Sequence, residues 1–165
     1  MTAFFSTGSP DQGQPDRRRY MADFDGARLY VHARSLGTVL RVDGEIDASN
    51  AKNVAQAIRR FARLKTPLIL DLSHLDFLSI DGFRALLVLN HEHQQARVHC
   101  SVVAGTAMRP LLHIINDHGL TVVGSVAEAL QLIEDMVRTR RQFLSDIVRH
   151  RQPPREATRI GAIPS

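Results

Sequence analysis

The stretch Leu68-Ile69-Leu70-Asp71-Leu72-Ser73-His74-Leu75-Asp76-Phe77-Leu78-Ser79-Ile80-Asp81-Gly82-Phe83-Arg84-Ala85-Leu86-Leu87 decides how this chain is read. Leu68 to Leu72 is a short apolar run broken by one acid, as expected of a central strand. Phe83, Leu86, Leu87 and Asn90 then recur at helical spacing. The polar residues between them therefore precede a helix N-terminus, where unpaired N–H groups favour a hydroxyl or carboxylate. Ser79, Asp81 and, in the loop before them, Asp76 compete for that position. The pattern points to a binding module rather than an enzyme.

Working outward, Arg28-Leu29-Tyr30-Val31-His32-Ala33-Arg34 alternates, Leu36-Gly37-Thr38 supplies a turn, and Val39 to Ile46 returns as a second strand. Asp47 or Ser49 caps a helix from about Ala51 to Lys65, with Val54, Ile58, Phe61 and Ala62 on one stripe. After the helix from about Asp81 to Ala96, Val98 to Ala104 reads as another strand. A third helix holds Met108, Leu111, Leu112 and Ile115 and stops near His118-Gly119. Thr121-Val122-Val123 is a last strand, and Ser125-Val126-Ala127-Glu128 is a capping box. The final helix keeps its stripe of Leu130, Ile133, Val137, Leu144 and Ile147 to about residue 148. The order β-β-α-β-α-β-α-β-α predicts an α/β fold, with helices packed on a mixed sheet.

At 165 residues the chain suits one domain with loose ends. Its net charge of +4 is uneven: residues 1–20 carry +1, residues 138–165 carry +5, and the body between carries −2. The basicity is a tail property, and the body lacks an aromatic-rich basic face, so no specific nucleic-acid partner is expected. The first residues form no secretory signal, and nothing approaches the roughly twenty apolar residues of a membrane span, so a cytoplasmic location is expected. Cys100 is the only cysteine and forms no internal disulfide. His91 and His93 point about 160 degrees apart on a helix, and His99 and Cys100 alternate across a strand, so neither a metal nor another cofactor is expected.

The hairpin ending in Gly44-Glu45-Ile46-Asp47, the helix after it, Ile69-Leu70-Asp71-Leu72-Ser73 and the Phe-Leu-x-x-x-Gly-x-x-x-Leu entry into the next helix together resemble a STAS domain of the bacterial anti-sigma factor antagonists. The resemblance covers about residues 27–137. It implies a STAS-type mixed sheet over those residues; composition and helical spacing add a disordered lead-in (1–26), a basic extension of the last helix (138–152) and a disordered tail (153–165). It also implies a non-catalytic regulator of transcription that binds a serine-kinase-type anti-sigma factor and frees its sigma factor. In that family an Asp-Ser-x-Gly pattern opens the second helix, and its Ser accepts phosphate. Here Ser79, Ile80, Asp81 and Gly82 stand at those positions, and Ile80 cannot accept a phosphate. The usual switch is therefore absent or displaced to Ser79, one residue and about 100 degrees away.

Ser79 reads first as an N-cap and second as a displaced phosphosite. Asp81 reads as a dipole partner before a phosphate mimic, and Asp71 as a structural anchor for the loop. Asp81, Arg84, Ala85, Val88 and Glu92 fall opposite the Phe83, Leu87 and Asn90 stripe. With Asp76 and Ser79 they form the expected partner-binding surface. Beyond residue 137, Arg138, Arg140, Arg141, Arg149 and Arg151 flank an apolar stripe that packs on its own domain, forms a homodimer or holds a partner helix. The alternative function is a STAS scaffold subunit of a transporter or multi-protein assembly, anchored by that arginine-rich helix.

Overall fold

The computed structural model describes residues 20–151. The described residues form one mixed sheet of seven strands. It begins with β1 (Tyr20–Asp23), β2 (Ala27–Ala33) and β3 (Thr38–Ile46), each antiparallel to the next. The sequence placed Tyr20–Asp23 in a lead-in, because Gly, Pro, Ser and Arg dominate the residues before it. Its register, with Ala22 opposite Leu29, instead makes it an edge strand, and Ala22 and Phe24 are buried. The rest of the expected lead-in, residues 1–19, and the expected tail, 153–165, lie outside the described residues.

Helix α1 (Ala51–Ala62) follows, then β4 (Leu68–Asp71), β5 (Leu75–Leu78), α2 (Ile80–Gln95) and β6 (Cys100–Val103). The chain continues with α3 (Arg109–Ile114), β7 (Thr121–Val123) and α4 (Val126–Arg151). Strands β4, β6 and β7 pair in parallel, and β4 also pairs in parallel with the first half of β3. All four residues of β4 are buried, as befits a strand covered on both faces. Short β5 pairs in parallel with the end of β3, with Phe77 opposite Glu45 and Leu78 opposite Ile46.

The sequence reading made Asp76 to Leu78 part of a polar loop. Leu75 and Leu78 are buried while Asp76 and Phe77 are exposed, and that spacing hides the alternation by which a half-buried strand is recognised. The third helix is also shorter than expected: Met108 is fully buried just before it, no residue within it is buried, and Gly119 lies beyond its end.

One core runs through the sheet and helices, with Leu29, Leu40, Ile46, Ile58, Leu72 and Phe83 almost fully enclosed. Helix α1 buries Val54 and Ile58, as its stripe predicts. Its cap differs from expectation: Asn50 is the N-cap residue and makes no side-chain cap bond. The Asn50 amide instead donates to the carbonyls of Glu45 (2.9 Å) and Asp25 (3.2 Å), tying the β1–β2 turn to the start of α1. Asp47 accepts from Ser49 and Asn50 in an Asx turn, which holds its carboxyl below the usual carboxylate range. The chain divides into two compact units after Ile133. The last buried residues of α4 are Ala129 and Ile133, and the helix continues to Arg151.

Candidate functional site

The candidate site is the start and outer face of α2. Strand β5 delivers the chain to Ser79, whose backbone N–H donates to the Ile46 carbonyl at 2.8 Å. Ser79 is the N-cap of α2, in extended conformation, and its Oγ accepts from the Gly82 N–H at 3.0 Å. Its carbonyl accepts from the Phe83 N–H at 2.9 Å. The hydroxyl therefore performs the capping role read from the sequence.

Gly82 explains why this turn is so close to the sheet. A Cβ there would stand 2.8 Å from Ile46 Cγ2 and 2.9 Å from Leu78 Cδ1. Only a residue without a side chain lets α2 begin directly against β3 and β5.

Upstream, Asp71 is 7% exposed, and its Oδ1 accepts from the Ser73 hydroxyl (2.6 Å) and the Ser73 N–H (3.1 Å). This bond pair shapes the loop between β4 and β5, the structural role expected of Asp71. Gly105 backs the same loop, where an added Cβ would fall 2.8 Å from Ser73 Cα.

The buried side of α2 comprises Gly82, Phe83, Leu86, Leu89, Asn90 and His93, with Leu87 half-buried at its margin. Asp81, Arg84, Val88 and Glu92 are exposed and Ala85 is half-buried, so the helix presents the expected face. Asp81 and Arg84 approach within 4.0 Å, a loose contact between exposed groups. Glu92 has a prior engagement. Its carboxylate accepts from Arg59 of α1 at 2.6 Å, which pulls its titration below the usual carboxylate range and clamps the two helices together.

Two residues of this surface escape sequence reasoning. Ile80, considered only as a missing acceptor, is 59% exposed, and Phe77 is 49% exposed. With Val88 at 51%, they set large apolar side chains among Asp76, Asp81 and Arg84. Apolar residues in the sequence are assigned to the core by default. Only the junction of β5 and α2, with Ser79 alone between Leu78 and Ile80, shows that Phe77 and Ile80 are exposed.

Among the described residues, no three His, Cys, Asp or Glu side chains come together as a metal site. His93 is buried, and neither ring nitrogen makes a well-formed hydrogen bond. Burial pushes its titration down. A surface depression of about 340 Å³ is lined by Asp23, Asp25, Asn53, Gln56 and Arg60, among others, and takes none of the predicted site residues. No described helix is long and apolar enough to cross a membrane.

The family model for the STAS domain matches residues 29–129. The chain belongs to the STAS domain family. Osmosensory protein A of Mycobacterium tuberculosis (strain ATCC 25618 / H37Rv) is 31% identical over 131 residues, covering 76% of this chain and 83% of that protein. A crystal structure of an anti-sigma factor antagonist from Mycobacterium paratuberculosis superposes with a TM-score of 0.60 at 28% identity, covering 67% of this chain and 96% of that one. The unphosphorylated anti-sigma factor antagonist SpoIIAA shares the fold, with a TM-score of 0.54, 14% identity and coverage of 65% and 96%. The STAS fold expected from the sequence is thus the fold observed, with a long C-terminal helix.

Proposed function

We propose that this STAS protein is a non-catalytic regulator of transcription that binds a serine-kinase-type anti-sigma factor through the start and outer face of α2, and so frees a sigma factor. The observation that carries this reading is the trio Phe77, Ile80 and Val88. All three are about half exposed, on a domain similar to a mycobacterial anti-sigma factor antagonist. Large apolar side chains exposed at the strand-to-helix junction and two turns along α2, among charged neighbours in sequence, suit a protein partner better than a small substrate. The mechanism is competitive occupancy.

Ile80 stands where the family resemblance implies a phosphate acceptor, and the neighbouring Ser79 hydroxyl serves as a helix cap. In this reading, kinase contact does not end in phosphorylation. Partner affinity is then controlled by protein level or another signal. The name of the 31% identical relative suggests osmotic stress as that signal.

The test is a binding and phosphorylation assay with the serine-kinase-type anti-sigma factors of the native host and ATP. Wild-type protein binds one of them and acquires no phosphate, whereas Ile80→Ser becomes phosphorylated and loses affinity. Val88→Arg binds at least about tenfold more weakly, roughly 1.4 kcal/mol, with an unchanged melting temperature. Phosphate on wild-type Ser79 would mean a displaced switch. Unchanged affinity in a folded Val88→Arg variant would remove α2 from the interface. Deleting residues 138–165 leaves kinase binding intact; loss of a transporter or other assembly on that deletion would favour the scaffold alternative.

A further inference from the structure

The depression between the β1–β2 turn and α1 takes no part in the proposed docking. Its volume of about 340 Å³ suits a small molecule. Phe24 and Ala57, which are 7% and 4% exposed, give it an apolar lining. Its two walls are tied together by Asn50, a buried residue at the start of α1 whose amide donates to the carbonyls of Asp25 and Glu45. The turn is closed further by the Phe24 N–H on the Ala27 carbonyl and by the Glu45 N–H on the Gly26 carbonyl, both at 2.8 Å. The space is therefore formed before a ligand arrives, and little ordering cost attaches to filling it.

The walls carry opposite charge. Asp23 and Asp25 line the depression from the turn, and Arg60 lines it from α1, a helix without a single acid. Gln56 and Arg60 also belong to an adjoining hollow with Arg59 and Arg63. Arg59 is held by Glu92, and Arg60 and Arg63 are left without an acidic partner among the described residues. Asp23 leans on Arg28 at 3.8 Å, whereas Asp25 has no basic partner among the described residues. Arg60 follows Asn50 by ten residues, about 15 Å along the helix axis, so the two charges face one cavity without pairing. A simple cation would leave Arg60 unmatched, and a simple anion would meet the carboxylates. A molecule with one charge of each sign matches both walls.

We propose that this depression binds a small zwitterion whose ammonium and carboxylate are separated by a short methylene chain. The ammonium lies at the turn with Asp23 and Asp25, the methylenes cover Phe24 and Ala57, and the carboxylate meets Arg60 with the amides of Asn53 and Gln56 beside it. The charged groups of both walls are exposed, so water screens them and the affinity is modest.

The experiment titrates the full chain with 6-aminohexanoate and follows the backbone amides by NMR, with hexanoate and hexylamine as probes of one charge each. 6-Aminohexanoate shifts the amides of residues 23–26 and 49–60 and saturates below about 10 mM. Each single-charge probe binds at least about fivefold more weakly. Arg60→Gln removes the advantage of the zwitterion over hexylamine, and Asp25→Asn reduces its advantage over hexanoate, with the melting temperature unchanged in both. The absence of a saturable shift in those two segments up to about 50 mM, equal binding of either single-charge probe, or unchanged affinity in both variants would each overturn the proposal.

Discussion

Two helices of this protein begin with the same device and are used differently. At α2, Ser79 Oγ accepts from the N–H of Gly82 at 3.0 Å; at α4, Ser125 Oγ accepts from the N–H of Glu128 at 3.1 Å. The residue three places after each serine separates the two cases. Gly82 is buried against Ile46 and Leu78. Glu128 is exposed, and its carboxylate reaches back to the Gly124 N–H at 2.7 Å. This is one residue before the usual capping-box donor. A serine cap therefore marks a helix start and nothing more. What makes the α2 start a candidate site is its seat on the sheet and the apolar side chains beside it.

The largest effect should come from attacking that difference directly. Gly82→Val pushes side-chain atoms into Ile46 and Leu78, and is expected to cost about 3 kcal/mol or to prevent folding. Glu128→Val, at the equivalent place in α4, should cost about 1 kcal/mol or less. Chemical denaturation of the two variants checks the contrast, and equal losses would mean that α2 is not held against the sheet. Next come the caps. Ser79→Ala and Ser125→Ala should each cost about 1 kcal/mol. If capping is the whole role of Ser79, the folded Ser79→Ala protein keeps its partner affinity.

At the other end of α2, His93 links the comparison to pH. Burial lowers its titration below the ordinary histidine range, so the unfolded chain takes up the proton first as pH falls. Its contribution is fully present above about pH 6.5 and is lost as acidification proceeds towards its folded value. His99 is shifted the same way by burial. Replacing His93 with Phe should therefore flatten, but not abolish, the fall in melting temperature between about pH 7.5 and pH 5.5. An unchanged slope would assign the dependence to other groups. The smallest effect belongs to the clamp between α1 and α2. Arg59 and Glu92 lie 2.6 Å apart but are 39% and 45% exposed. A double-mutant cycle should return only a few tenths of a kcal/mol.

Legibility of the sequence followed local periodicity. The β2–β3 hairpin, the stripe of α1, the N-cap at Ser79 and the loop-shaping role of Asp71 were readable because each depends on residues a few positions apart. Strand β1 was not, since four residues with one known buried side chain carry no alternation that a polar context cannot mask. Strand β5 was missed because its exposed pair Asp76-Phe77 breaks the period of two. The engagement of Glu92 spans 33 residues to Arg59 and has no local signature. At the site, Ile80 was visible as a missing hydroxyl, but its outward direction and that of Phe77 depend on where β5 ends against Ile46.

The strand order has a consequence for colloidal behaviour. Among the described residues the sheet ends at β1, at β7 and, beside the end of β3, at β5, which are four, three and four residues long. Edges this short leave few free backbone groups for a foreign strand to zip onto, which disfavours fibril growth by edge-to-edge templating. A chain that carries bare hydrophobic side chains on two helices should therefore, when concentrated, form discrete assemblies through those side chains. Thioflavin-negative, reversible particles would be the mark of that behaviour.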